Sequence, residues 1–236
     1  MENRRCSLRY PYLSVKAQTG DSFGGNQNWS AGRIMRRYGC GVVGAGDVLL
    51  YLGLHRTECE TDLFYGMLRE DGLLSLPRYE RYLTKLRKRY LPVIPGFGIP
   101  GFFLPIGMNR YFRRYRIGMR ASWGLRFGQI LPRIEAMLQQ DIPVILAIGP
   151  NFPPLLGRKK VTFYRLENGE YLPAAETAAH FVVVTGIVGE YLQVSSWGKE
   201  YYMFWPEYQR YVKKCSSFFA SNICRIREKK KRKIFK

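Results

Sequence analysis

Residues 38–54 read YGCGVVGAGDVLLYLGL, and this stretch decides the fold. From Cys40 to Leu54 nearly every residue is apolar or small, so a helix here is apolar on all faces and belongs at the centre of the molecule. Gly39, Gly41, Gly44 and Gly46 lower helix propensity but let another backbone approach the first turns. Outward from it the pattern changes on both sides. Residues 1–38 mix polar, aromatic and basic residues around Gly24 and Gly25 and read as loop. Downstream, helices are expected over Glu60 to Glu70 and Pro77 to Tyr90, the second with Tyr79, Tyr82, Leu83 and Leu86 on one side.

A stretch without charge follows, Leu91 to Met108, in which Pro92, Pro95, Pro100 and Pro105 deny a lone helix the backbone bonds that a membrane requires. It is expected as a loop packed on the domain, lining a groove, with no transmembrane segment. A basic run, Arg110 to Arg120, leads to a helix expected from about Trp123 to Gln140, which Pro132 breaks or restarts. Beyond it the sequence reads as strands: Pro143 to Ile148, Val161 to Leu166, His180 to Val188, Glu190 to Ser195, Glu200 to Phe204 and Phe218 to Arg225. Helices precede strands, so the class is α+β rather than wound α/β. One domain is expected over 1–226, its helical part about 40–140 and its β part about 143–226, with a basic tail at 227–236.

The chain has 236 residues and a formal net charge of +20, yet 46% are hydrophobic and 15% aromatic, too much buryable surface for a disordered protein. Five cysteines are neither a dense nor an even set, and the first thirty residues lack a signal peptide's apolar core, so a cytoplasmic setting is expected. The charge is concentrated. Eleven Arg and Lys against Glu80 alone lie between Arg78 and Arg120, and eight against Glu228 alone lie between Arg225 and Lys236. With Tyr79, Tyr82, Tyr90, Tyr111, Phe112 and Tyr115 interleaved, such a surface suits nucleic acid, anionic lipid headgroups or an acidic protein.

Chemistry points first to Cys40. In the first turn of a helix a thiol meets unsatisfied backbone donors and the positive end of the helix dipole, which favour thiolate; the other reading is a small buried core residue. Of the two histidines, His55 and His180, the second opens a strand after the turn AAETAA, where an imidazole can act as general base. One hairpin later comes Ser195-Ser196-Trp197-Gly198.

Cys at the head of a central helix, His at the start of a later strand and SWG closing the next strand together resemble the papain-like cysteine peptidase superfamily. The set is most similar to the bacterial group related to the double-glycine leader peptidases, which process bacteriocins. The resemblance covers roughly Gly24 to Phe204. It implies a central Cys-bearing helix packed on an antiparallel β-sheet, a peptide or protein substrate, no cofactor, Cys40 as nucleophile and His180 as base. The family's orienting Asn or Asp maps to Ser195, which can accept a hydrogen bond but carries no charge to stabilise an imidazolium, so either the enzyme is slow, another group such as Ser196 or a main-chain carbonyl substitutes, or the site is no longer catalytic. The family's oxyanion glutamine maps to Gln27, thirteen residues ahead of Cys40 and separated from it by SAGRIMRRY. Gly39, Trp29 and Trp197 are expected to wall the cleft.

Other constellations carry less. Asp47 stands two helical turns below Cys40, roughly 10 Å away, and is expected as a buried carboxylate tied to backbone donors or to an arginine. His55 and Cys59 lack the further ligands a structural zinc needs, so no metal is expected. Two function classes remain: a thiol hydrolase acting on peptide or amide bonds through a Cys40–His180 dyad, and a catalytically weak or inactive protein whose basic surface engages an anionic partner.

Overall fold

The computed structural model describes residues 4–17, 20–124, 126–152 and 159–229. Its helices are α1 (Arg33–Tyr38), α2 (Cys40–His55), α3 (Leu76–Arg89), α4 (Phe103–Arg114), α5 (Ile130–Gln139) and α6 (Trp205–Cys215). Its strands are β1 (Arg5–Ser7), β2 (Val15–Ala17), β3 (Gly20–Asp21), β4 (Leu74–Ser75), β5 (Met119–Trp123), β6 (Val144–Ile148), β7 (Val161–Glu167), β8 (Glu170–Thr177), β9 (His180–Val188), β10 (Tyr191–Ser196), β11 (Lys199–Phe204) and β12 (Ile223–Glu228). The fold is α+β. A large antiparallel sheet runs β5-β12-β6-β9-β10-β11-β7-β8, with β1 joining β9 beyond the end of β6. A second, small sheet, β3-β2-β4, caps the helical side.

Helix α2 lies at the centre, with every residue from Gly41 to Gly53 buried. Its glycines set how closely it is surrounded. Gly41 faces Phe181 and Gly44 faces Val183 of β9, so the sheet approaches the helix backbone directly. On the opposite side, Gly46 receives Leu83, Leu86 and Tyr82 of α3, and Gly53 receives Phe64. Side chains at these positions would hold the layers apart, which is why so poor a helix-forming sequence is helical here: packing on every face supplies what propensity withholds.

Several elements differ from the sequence expectation, each for a local reason. Over Glu60 to Glu70, where a helix was expected, there is one short 3-10 turn, Asp62–Phe64, preceded by another at Thr57–Cys59. Gly66 has φ +62°, outside the helical range, and its carbonyl accepts a bond from Arg78. The Leu91 to Met108 loop is shorter than expected because α4 begins at Phe103; Pro105 falls in its first turn, where an N–H has no intrahelical partner. Pro132 is tolerated in the first turn of α5 for the same reason, and Trp123 belongs to β5.

The Ala-rich segment before His180 belongs to β8, an edge strand whose Pro173 sits at a register shift against β7. Helix α6 buries Tyr208, Tyr211 and Val212, at helical spacing, in a segment for which the sequence reading assigns no element. Upstream, β1, β2, β3 and α1 occupy a region expected as loop. At the other end β12 extends to Glu228, so the first residues assigned to the tail are strand, and residues 230–236 lie outside the described residues. Among the described residues no helix is long and apolar enough to cross a membrane.

Candidate active site

Cys40 is the first residue of α2 and keeps only a small part of its surface exposed, whereas the run that follows it is buried. Gly39 joins α1 to α2, its N–H donating to Met35 O at 2.8 Å, and a Cβ there would collide with that carbonyl. The junction therefore requires glycine and aims the first turn of α2 into a cleft. That cleft is narrow, with a cavity volume of about 20 Å³, and is lined among others by Gln27, Cys40, Asp47, His180, Ser195, Ser196 and Trp197. Backbone donors of Phe181, Gly41 and Cys40 itself point at the thiol.

His180 opens β9, an interior strand, opposite Ile148 of β6. Its Nε2 is 2.8 Å from the Ser196 hydroxyl, and its ring stacks on Trp197 with centroids 4.6 Å apart and an interplanar angle of 21°. Trp197 and Gly198, both with positive φ, make the tight turn between β10 and β11, which swings the indole over the imidazole. Among the described residues no hydrogen bond joins the Cys40 thiol to the imidazole; with Nε2 engaged by Ser196, the ring nitrogen left for proton transfer is Nδ1.

The hydroxyl that engages His180 is thus that of Ser196, not that of Ser195. Successive strand side chains point to opposite faces, and Ser195, although it also lines the cleft, is turned from the imidazole and donates to Phe23 O at 2.7 Å. Ser195 instead secures the loop that carries Gln27. Gly24 in that loop has φ +76°, and a Cβ there would collide with the Ser195 hydroxyl. Gly25 N–H donates to Asp47 Oδ2 at 2.9 Å, Tyr12 donates to the same oxygen at 3.3 Å, and Tyr79 donates to Asp47 Oδ1. Asp47 is therefore tied to a backbone donor and two tyrosines rather than to an arginine.

This knot pins the GGNQNW segment to α2, and Gln27 lines the cleft at the head of a 3-10 turn, its amide donating to Arg36 O at 2.8 Å. One of the two amide hydrogens is thereby used and the other is left to a ligand. Trp29 does not wall this cleft. It packs edge-on against Tyr79 and lines an adjoining hollow behind Gln27.

Burial dominates the electrostatics. It raises the Cys40 pKa, against the lowering effect of the three backbone donors, so the helix terminus does not by itself produce a thiolate. It also lowers the His180 pKa to about 4. At neutral pH the resting pair is neutral thiol and neutral imidazole. Asp47 is pushed up to about 6, again by burial, against the bonds from Gly25, Tyr79 and Tyr12.

The remaining features have structural roles. His55 stacks on Tyr10 at 4.4 Å and meets Tyr51 edge-on, Cys59 is buried against Met119, and among the described residues no group of three or more His, Cys, Asp or Glu is arranged to hold a metal ion. The aromatics interleaved with the basic run do not form a stacking platform. Tyr79, Tyr82, Tyr90, Tyr111 and Phe112 are buried in the core and Tyr115 is half-buried, while most of the neighbouring cations are exposed. Compared with known proteins, the chain matches no family model, no curated protein and no solved structure.

Proposed function

We propose that the protein is a papain-like thiol hydrolase acting on a peptide or amide bond. The observation that carries this reading is the convergence in one cleft of a thiol at a helix N-terminus, an imidazole fixed through Nε2, and a glutamine amide with a hydrogen to spare. In the base-competent tautomer, Nε2–H donates to Ser196 and Nδ1 carries the lone pair. As a carbonyl approaches, Nδ1 takes the thiol proton while sulfur bonds to the carbonyl carbon. The developing oxyanion is met by the Cys40 N–H and the free Gln27 amide hydrogen. The tetrahedral adduct collapses as the imidazolium gives its proton to the departing amine, leaving a thioester that water, deprotonated by the same Nδ1, hydrolyses.

Because both partners rest neutral, the nucleophile is formed only with substrate present. Ser196 gives the imidazolium no charge, so turnover is expected to be slow relative to a carboxylate-backed dyad. The test is acylation by a p-nitrophenyl ester followed by intact-mass analysis and peptide mapping. The expected result is one acyl group on Cys40, none in Cys40→Ala, and a rate at least about 100-fold lower in His180→Ala. Acylation elsewhere, or an unchanged rate in His180→Ala, overturns the reading.

A further inference from the structure

The surface beside this cleft carries an apolar ridge that the thiol chemistry does not use. The turn closed by the Ile94–Gly98 bridge holds Phe97 at its tip with 84% of its surface exposed. Immediately after it, Phe102, Phe103 and Ile106 are all exposed, Phe102 meeting Phe103 at 4.6 Å and Phe219 at 5.6 Å, between ring centroids. The adjoining turn is braced from below, the Trp123 indole donating to Phe219 O at 2.7 Å. No core position explains these phenylalanines. They stand outward on a rigid base.

Charge is arranged along the same helix. On α4, Phe103, Ile106, Arg110 and the pair Arg113 and Arg114 recur at three- to four-residue spacing and are all exposed, so one face is apolar at its N-terminal end and cationic at its C-terminal end. Ile106 and Arg110 differ by about 6 Å along the axis and Phe103 and Arg114 by about 16 Å. Arg110, Arg113 and Arg114 form no ion pair among the described residues. A second group of cations is Arg126, Arg133 and Arg225, where burial first, and then the charges of Arg225 and Arg126, lower the Arg133 pKa.

We propose that the 94–106 segment, the outer face of α4 and the Phe218–Phe219 turn form a docking surface for an anionic lipid bilayer. Aromatic side chains without hydrogen-bonding groups enter the boundary between headgroups and acyl chains, and the arginines one to three turns further along α4 meet the lipid phosphates. Segregation of apolar and cationic residues by depth suits a bilayer. A nucleic-acid groove would interleave the two, and an acidic protein would need a separate apolar pocket for each exposed phenylalanine. The loop that carries Phe97 also places Ile99 against Gly41, beside Cys40, so docking fixes the cleft next to the lipid surface.

The test uses the full chain sedimented with large vesicles of phosphatidylcholine, alone or mixed with phosphatidylglycerol. The expected result is binding to the mixed vesicles only, weakening as NaCl is added. Phe97→Ser combined with Phe103→Ser should lower the partition coefficient at least about tenfold without changing the unfolding midpoint. Each of Arg110→Gln, Arg113→Gln and Arg114→Gln should lower it about fivefold. In Phe97→Trp the new indole should shift to the blue on binding. Failure to sediment with anionic vesicles overturns the proposal, as does binding that ignores the phenylalanine substitutions, or capture of RNA or an acidic peptide in their place. Cys40→Ala should sediment like the parent protein, so this proposal and the thiol chemistry can fail separately.

Discussion

Replacing Asp47 with Asn isolates the knot that holds the Gln27 loop on α2. The carboxyl is buried, and its pKa rises from 3.8 to about 6 because three hydrogen bonds do not offset the loss of solvent. A raised folded-state pKa means that the folded chain binds this proton more tightly than the unfolded chain. The protonated carboxyl therefore contributes stability that is fully present below pH 3.8 and is lost as pH rises through about 6. A shift of that size corresponds to on the order of 3 kcal/mol at pH 7. Asn presents its oxygen to Gly25 N–H and the Tyr12 hydroxyl and an amide hydrogen to the Tyr79 oxygen, and it does not ionise. Urea unfolding of both proteins at pH 4 and pH 7 measures the effect, and subtracting one protein from the other cancels every other titrating group. The two should be within about 1 kcal/mol at pH 4, with Asn ahead at pH 7 by most of the on the order of 3 kcal/mol. A difference that does not change with pH, or one that turns against Asn as pH rises, refutes the assignment of burial as the dominant effect.

The two serines should separate by role. Ser196→Ala should slow Cys40 acylation about tenfold by freeing the imidazole, whereas Ser195→Ala should leave the rate nearly unchanged but cost about 1–2 kcal/mol in urea unfolding, because Phe23 O loses its donor. Ser196→Asp should raise the His180 pKa from about 4 and move the acid limb of the acylation profile upward, which a pH–rate series reads directly. Gly44→Leu, whose Cβ would already lie 3.5 Å from Val183, should force α2 off β9 and destabilise the protein by about 1–3 kcal/mol. Gly118→Ala, with nothing within 4 Å of the added carbon, serves as the control and should unfold like the parent.

What the sequence discloses about this fold follows burial. The all-apolar run from Cys40 identifies the central helix, and the unbroken apolar strands β6 and β9 are readable because both their faces are covered. The edge strand β8 and the short strands β1 to β4 are not readable, since they have few buried positions and their pairing is fixed by distant partners. Helix α6 carries a legible Tyr208, Tyr211, Val212 stripe, which the meander reading of its neighbours obscured. At the site, Cys40 and His180 follow from position within their elements. The exchange of Ser195 for Ser196 does not, because it depends on which side of β10 faces the histidine, and β10 changes register against β9 between Gln193 and Val194. Nor does the sequence reveal that the thiol and imidazole rest neutral, because helix-terminus donors predict a thiolate and only the depth of the cleft reverses the balance.

If His180 is the base for Cys40, the pH dependence of Cys40 alkylation by iodoacetamide must show it. Thiol with imidazole and thiolate with imidazolium hold the same number of protons, so the small fraction of the second form does not vary with pH between the two titrations. The wild-type rate should therefore show a flat plateau from about pH 5 to 8, above the His180 pKa of about 4, and should rise only as the raised thiol pKa is approached. In His180→Ala the plateau should vanish, the rate falling about tenfold per pH unit below the thiol pKa. A tenfold-per-unit slope in both proteins, with no plateau in the wild type, would contradict the dyad.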